Sequence, residues 1–154
     1  MSSAVEAEIA ASQAKRWGNG KPVYVSWTLH EAPGSGLRSG ESLAEAFNKI
    51  AYLDVDGYML NCTCPEAIES GLIDLAELTP KPLGCYANRM GRVPEGWTLD
   101  NALETGRRSD VTTDYFVAQS LRAAAAGATI IGGCCGIGPA DIKALSRALT
   151  AFNQ

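Results

Sequence analysis

Four times along this chain a short apolar or aromatic run gives way to a longer segment with helical spacing, and that order limits the fold more than any other feature. Val23-Tyr24-Val25-Ser26-Trp27-Thr28-Leu29 has the β-branched and aromatic content of a strand. Glu41 to Leu53 then places Leu43, Phe47 and Ile50 at the spacing of one helix face. Val55 to Asn61 is the next apolar run, and Cys64-Pro65-Glu66 opens a helix reaching about Leu78, with proline at its start. Leu83 to Asn88 is a third strand candidate. The polar, glycine-containing stretch from there through Asp110 has no clear period. Thr113 to Ala126 reads as a helix ended by Gly127, followed by an apolar strand from Ala128 and a last helix from Pro139 to Phe152. Ahead of all these, Ser3 to Arg16 is an alanine- and glutamate-rich helix stopped by Gly18 and Gly20.

Strands that alternate with helices of ten or more residues are parallel and joined by right-handed crossovers. Four strands are therefore expected near residues 23–29, 55–61, 82–88 and 128–133, apolar on both faces as covered parallel strands are. Periodicity does not separate a small open α/β sheet from half of a closed barrel.

Length and composition narrow the function classes. A chain of 154 residues with 46% hydrophobic and 19% charged residues suits one globular domain, spanning 1–154. A net charge of −4 argues against a nucleic-acid partner, which would show as a basic patch. No run approaches the roughly 18 apolar residues of a membrane span. The first twenty residues have no apolar secretory core, so a cytoplasmic location is expected.

Five cysteines in such a chain point to a metal site, a reactive thiol or buried packing rather than a disulfide framework. Functional residues of parallel α/β folds gather at the carboxyl ends of strands. Cys62 directly follows the second strand, and Cys134 and Cys135 follow the fourth within Gly132-Gly133-Cys134-Cys135-Gly136. All three lie on one rim, and a curled sheet brings the thiolates together. Three cysteines suit Zn²⁺, which binds sulfur at about 2.3 Å in tetrahedral geometry and keeps a fourth position open when catalytic. Gly132, Gly133 and Gly136 are expected to let the backbone turn sharply enough for adjacent cysteines to reach one ion. Cys64, at the start of a helix, is expected to pack or cap, Cys85 to lie in the core, and His30 to be a loop residue at the same rim.

Asn61-Cys62 with Pro65-Glu66, together with the Gly-Gly-Cys-Cys-Gly segment, resembles the zinc signatures of the homocysteine S-methyltransferase family. Val25-Ser26-Trp27 is similar to its fifth strand, Ser39-Gly40-Glu41-Ser42-Leu43 to the start of the following helix, and Tyr86-Ala87-Asn88 to a Tyr-Pro-Asn at the seventh, with Ala87 replacing proline. The resemblance implies the C-terminal half of a (β/α)₈ TIM barrel: βα units five to eight, preceded by the helix of unit four, with helices on the outer face. It implies Zn²⁺ held by Cys62, Cys134 and Cys135, binding homocysteine sulfur as a thiolate that takes a methyl group and gives methionine. Asn61 and Asn88 would be rim residues near the substrate. The donor varies among betaine-, S-methylmethionine- and methylfolate-dependent members.

The family's Asp-Gly-Gly motif after the first strand and its acidic residue at the fourth, which hold the amino-acid end of homocysteine, have no counterpart here. A full barrel takes about 250 residues. A homodimer closing the barrel, or a complementing N-terminal half, is therefore expected, with weak or no activity for this half alone. Two other readings stay open: a non-catalytic zinc- or thiol-binding module, and a small redox-active α/β domain.

Overall fold

The computed structural model describes residues 1–98, 100 and 102–152; of the 1–154 span, positions 99, 101, 153 and 154 lie outside the described residues. Its four strands are β1 (Tyr24–Trp27), β2 (Gly57–Asn61), β3 (Leu83–Ala87) and β4 (Ala128–Gly133). They form one sheet in the order β1-β2-β3-β4, every neighbouring pair parallel. Chain order equals spatial order, so each crossover steps one strand in the same direction. A doubly wound sheet would reverse direction at a switch point. This one progresses as a barrel does.

The helices are α1 (Ala4–Trp17), α2 (Leu43–Ile50, continued by a 3₁₀ turn at Ala51–Leu53), α3 (Pro65–Leu78), α4 (Thr113–Ala125) and α5 (Pro139–Phe152). Local chemistry starts them where the sequence suggests. Ser3 and Thr112 accept from the amides of Glu6 and Tyr115, and Ser42 with Glu45 makes a reciprocal capping box. Each helix packs on the next along the chain, so they form a single layer on one face of the sheet.

The core lies between that layer and the sheet. Val25, Trp27, Tyr58, Leu60, Leu83 and Cys85 alternate into it. Trp27 and Tyr58 stack with ring centroids 5.7 Å apart, and Phe47 leans on Tyr58 at 5.1 Å. The opposite face departs from the expected apolar character. Ser26, Met59, Asn61 and Tyr86 are half-buried there and Ile130 is exposed. Tyr86 donates to Ser26 Oγ at 2.8 Å, and Ser26 donates to Asn61 Oδ1 at 2.8 Å. A polar layer thus lines the concave side, where a barrel interior would be.

β4 has its expected bounds and the other three strands are shorter than expected, β1 because its end groups bond elsewhere. The Val23 amide donates to Asp56 Oδ2, and the Thr28 amide to the Met1 carbonyl. The Met1 ammonium donates to the Ser26 carbonyl at 2.8 Å, so Met1 lies along the free edge of β1. Among the described residues no helix is long and apolar enough to cross a membrane.

The stretch after β3, which had no readable period, is ordered by charge. Arg108 donates to both Glu66 carboxylate oxygens, at 2.9 and 2.8 Å, and to Asp110, while Tyr115 donates to Glu66 at 2.6 Å. This clips the loop onto the start of α3. Burial pushes the Glu66 carboxyl up, but the Arg108 and Tyr115 hydrogen bonds outweigh it and hold it at about 2, against an ordinary 4.5. A depressed folded value means stability that is present above pH 4.5 and lost as pH falls toward 2. Thermal melts are expected to show Tm declining below about pH 4.5, less steeply in Glu66→Gln than in the parent. Parallel declines in the two proteins would contradict this role for Glu66.

Candidate metal centre

β3 carries the site on both flanks. The Cys62 amide, just past β2, donates to the Tyr86 carbonyl at 3.0 Å, and the Cys134 amide, just past β4, donates to the Ala87 carbonyl at 2.8 Å. The Arg89 amide returns a bond to the Cys135 carbonyl at 2.8 Å. Sheet pairing therefore continues one residue beyond each strand, and the cysteines are fixed by main chain.

Two backbone features turn the thiols toward one point. Cys62 adopts φ of +49°, a left-handed conformation uncommon for a residue with a Cβ and concentrated at functional sites. Gly136 has φ of +79°, and a Cβ there would stand 3.0 Å from Arg89 Cβ. Gly133 is required by space alone, since a Cβ would meet Ile137 Cγ2 at 2.3 Å. The expectation for Gly132 is corrected: a Cβ there would sit in ordinary contact, 3.9 Å from Tyr86 Cβ.

The sulfurs of Cys62, Cys134 and Cys135 all lie within 4.8 Å of one another. Cys62 to Cys135 is 3.7 Å and Cys134 to Cys135 is 3.9 Å. Tetrahedral thiolates at about 2.3 Å from one zinc stand about 3.8 Å apart. The donor set and spacing fit that ion, with one tetrahedral position left over.

The electrostatics of the trio are uneven. Burial raises the Cys62 thiol, but hydrogen bonds from Cys134, Asn88 and Cys135, with the Arg38 charge nearby, bring it below its ordinary value. Cys134 is pushed up to about 12 by burial and by its bond to Cys62. The opposite shifts of Cys62 and Cys134 are those of close neighbours that interact as they titrate. A divalent metal would supply positive charge that favours the thiolate form of both.

Asn88 is buried, and its Nδ2 points at Cys62 Sγ at 3.8 Å while its Oδ1 accepts from the Met90 amide. Asn61 lies one step lower, in the polar concave layer with Ser26 and Tyr86. Cys64 is turned away and donates to the Glu31 carbonyl at 3.3 Å; it occupies the N-cap position of α3 without capping, so packing is its role. Cys85 is in the core, its thiol raised to about 12 by burial. His30 is an exposed loop residue whose Nδ1 accepts from the Ala32 amide.

A cavity of about 180 Å³ adjoins Cys62 and Cys135, walled by Met90, Val93 and Trp97, with the Glu31–Arg38 ion pair (3.2 Å) at its margin. These walls come from the loop that had no sequence period. Arg38 and the buried Arg89–Asp141 pair were likewise not marked by any local pattern, since each acts through a distant partner.

The chain is similar to known methyltransferases. The chain is 27% identical over 149 residues to homocysteine S-methyltransferase 4 of Zea mays, covering 94% of this chain and 41% of that protein. It is 35% identical over 135 residues to homocysteine S-methyltransferase 1 of the same species, covering 80% and 38%. The selenocysteine methyltransferase of Astragalus bisulcatus is 30% identical over 132 residues, covering 84% and 37%. The metallated form of the homocysteine methyltransferase MmuM from Escherichia coli superposes with a TM-score of 0.69 at 27% identity, over 96% of this chain and 42% of that one. The chain thus spans about two fifths of the length of these relatives, and its four strands and helices correspond to part of a TIM barrel. The family model for homocysteine S-methyltransferase matches residues 1–149, and the chain belongs to that family.

Proposed function

We propose that this chain is the zinc-holding half of a homocysteine S-methyltransferase, with Cys62, Cys134 and Cys135 as the three protein ligands. The observation that carries this reading is the convergence of three sulfurs from two strand ends at the spacing of a tetrahedral site. Bound there, Zn²⁺ would supply the positive charge that keeps the homocysteine sulfur ionised at neutral pH, the form that attacks a methyl group. The protein's part is orientation. Asn88 steadies Cys62 by its Nδ2, and the Ser26–Asn61–Tyr86 layer presents hydroxyl and amide groups to the concave side below the sulfurs. The cavity beside Cys62 and Cys135 is large enough to admit part of a small acceptor or donor, with Met90 and Trp97 as apolar walls. Names among the relatives include both homocysteine and selenocysteine methyltransferases. Three reduced thiols are compatible with the cytoplasm, where we place the protein.

The other half of the substrate pocket lies outside the part of the relatives that this chain matches. We propose that a second copy closes the barrel, a complementing N-terminal half being the alternative. The β4 edge is flanked by a groove of about 530 Å³ lined by Ala124, Thr129, Ile131, Leu149 and Phe152. At the other edge Tyr24 is exposed on β1, and Met1 occupies part of that edge through its bonds to Ser26 and Thr28. The unpaired main chain left at the two edges favours mutual closure by a two-fold axis. We propose that methyl transfer by such a dimer is weak or nil, since this chain matches only about two fifths of the length of its relatives.

Zinc content measured after purification in reducing buffer is expected near one per chain for the parent and for Cys85→Ser. It should fall close to zero in Cys62→Ser, Cys134→Ser and Cys135→Ser. Loss of zinc in Cys85→Ser with retention in Cys134→Ser would falsify the ligand assignment. For assembly, light scattering at tens of micromolar should report twice the chain mass. A folded, monodisperse monomer would contradict closure by a second copy.

A further inference from the structure

Away from the sulfurs, Arg89 and Asp141 form a buried ion pair, Nη2 to Oδ1 at 2.6 Å, with 7% and 5% of their surfaces exposed. Buried pairs of this kind are poor stabilisers, because desolvation offsets most of their attraction. Arg89 Nε is moreover buried without an acceptor. What the pair touches suggests a different use. The Asp141 carboxylate, on the first turn of α5, also accepts from the Gly138 amide at 2.9 Å and the Thr113 hydroxyl at 2.5 Å. It therefore joins the segment after Asn88, the start of α4, and the end of the Cys134–Gly138 turn. Arg89 grips that turn at a second point, through its amide bond to the Cys135 carbonyl, and its Cβ is what a side chain at position 136 would strike. Asn88, its neighbour, reaches Cys62.

Resting on the zinc reading above, we infer that Arg89 and Asp141 are positioning residues that set the Cys134–Cys135 turn against Cys62. Among the described residues, neither side chain bonds a sulfur of the trio. The pair ties the Gly138 end of the turn to the loop that carries Asn88, beside the main-chain bond from Arg89 to the Cys135 carbonyl, so that the two halves of the trio keep one spacing. An Arg–carboxylate bond has the directional geometry for this, whereas an apolar pair of equal volume would fill the space without setting an angle.

Outer-shell partners of metal ligands typically change metal affinity 10- to 100-fold when removed. Zinc affinity by competition with a chromophoric chelator should therefore fall about 10- to 100-fold in Arg89→Met and recover in part in Arg89→Lys. Leu72→Ala, a fully buried α3 position away from the turn, serves as the destabilised control and should lower Tm with affinity within about twofold of the parent. In the metal-free chain, amide exchange from Cys134 to Ile142 should quicken in Arg89→Met while the amides of β1 and β2 keep their rates. An Arg89→Met affinity within twofold of the parent, or a loss equalled by Leu72→Ala, would overturn the inference. If the parent binds no zinc, the zinc reading fails by itself. The exchange comparison then decides: unchanged rates from Cys134 to Ile142 overturn the positioning role as well.

Discussion

The carboxyl end of β3 is the support from which the candidate site is built. Its Tyr86 carbonyl takes the Cys62 amide, and its Ala87 carbonyl takes the Cys134 amide. Two cysteine segments separated by more than seventy residues are thereby set at adjacent rungs of one parallel ladder. Parallel pairing is what makes this work, because all strands end on the same rim and each rim residue faces its neighbours at a fixed height. The left-handed turn at Cys62 and the glycine at position 136 then convert a row of strand ends into a converging trio. Main-chain hydrogen bonds tolerate most side-chain changes, so the placement depends on the sheet more than on any one contact near the sulfurs.

The two faces of the sheet divide the labour. The helix side is packed with Trp27, Tyr58, Leu60 and Leu72 and supplies the hydrophobic stabilisation of a domain this size. The concave side carries hydroxyls and an amide in a bonded row. Burial of such groups against a second apolar layer would require every one to find a partner, whereas a barrel interior beneath a site can leave them half-exposed.

Much of this was legible in the sequence. Strand and helix order, the helix starts at Pro65 and Pro139, and the rim position of Cys62, Cys134 and Cys135 follow from local periodicity, proline placement and the grouping of cysteines after strands. The parts that escaped are non-local. Strand ends were overextended because Val23 and Thr28 give their amides to Asp56 and Met1 instead of the ladder. The loop after β3 has no period of its own and is shaped by Arg108 bonding to Glu66, 42 positions away. Arg89 and Asp141 are 52 apart and look like ordinary surface charges until the fold buries them. Gly132 looked as constrained as Gly133 because the two are chemically identical in sequence; only the position of Ile137 separates them.

The central claim is that three cysteines of this chain share one zinc. Zinc K-edge X-ray absorption on the reduced, zinc-loaded chain addresses it most directly, since it counts the atoms bound to the ion. Three sulfur neighbours at about 2.3 Å with one lighter neighbour are expected. A first shell with two or fewer sulfurs would contradict the claim.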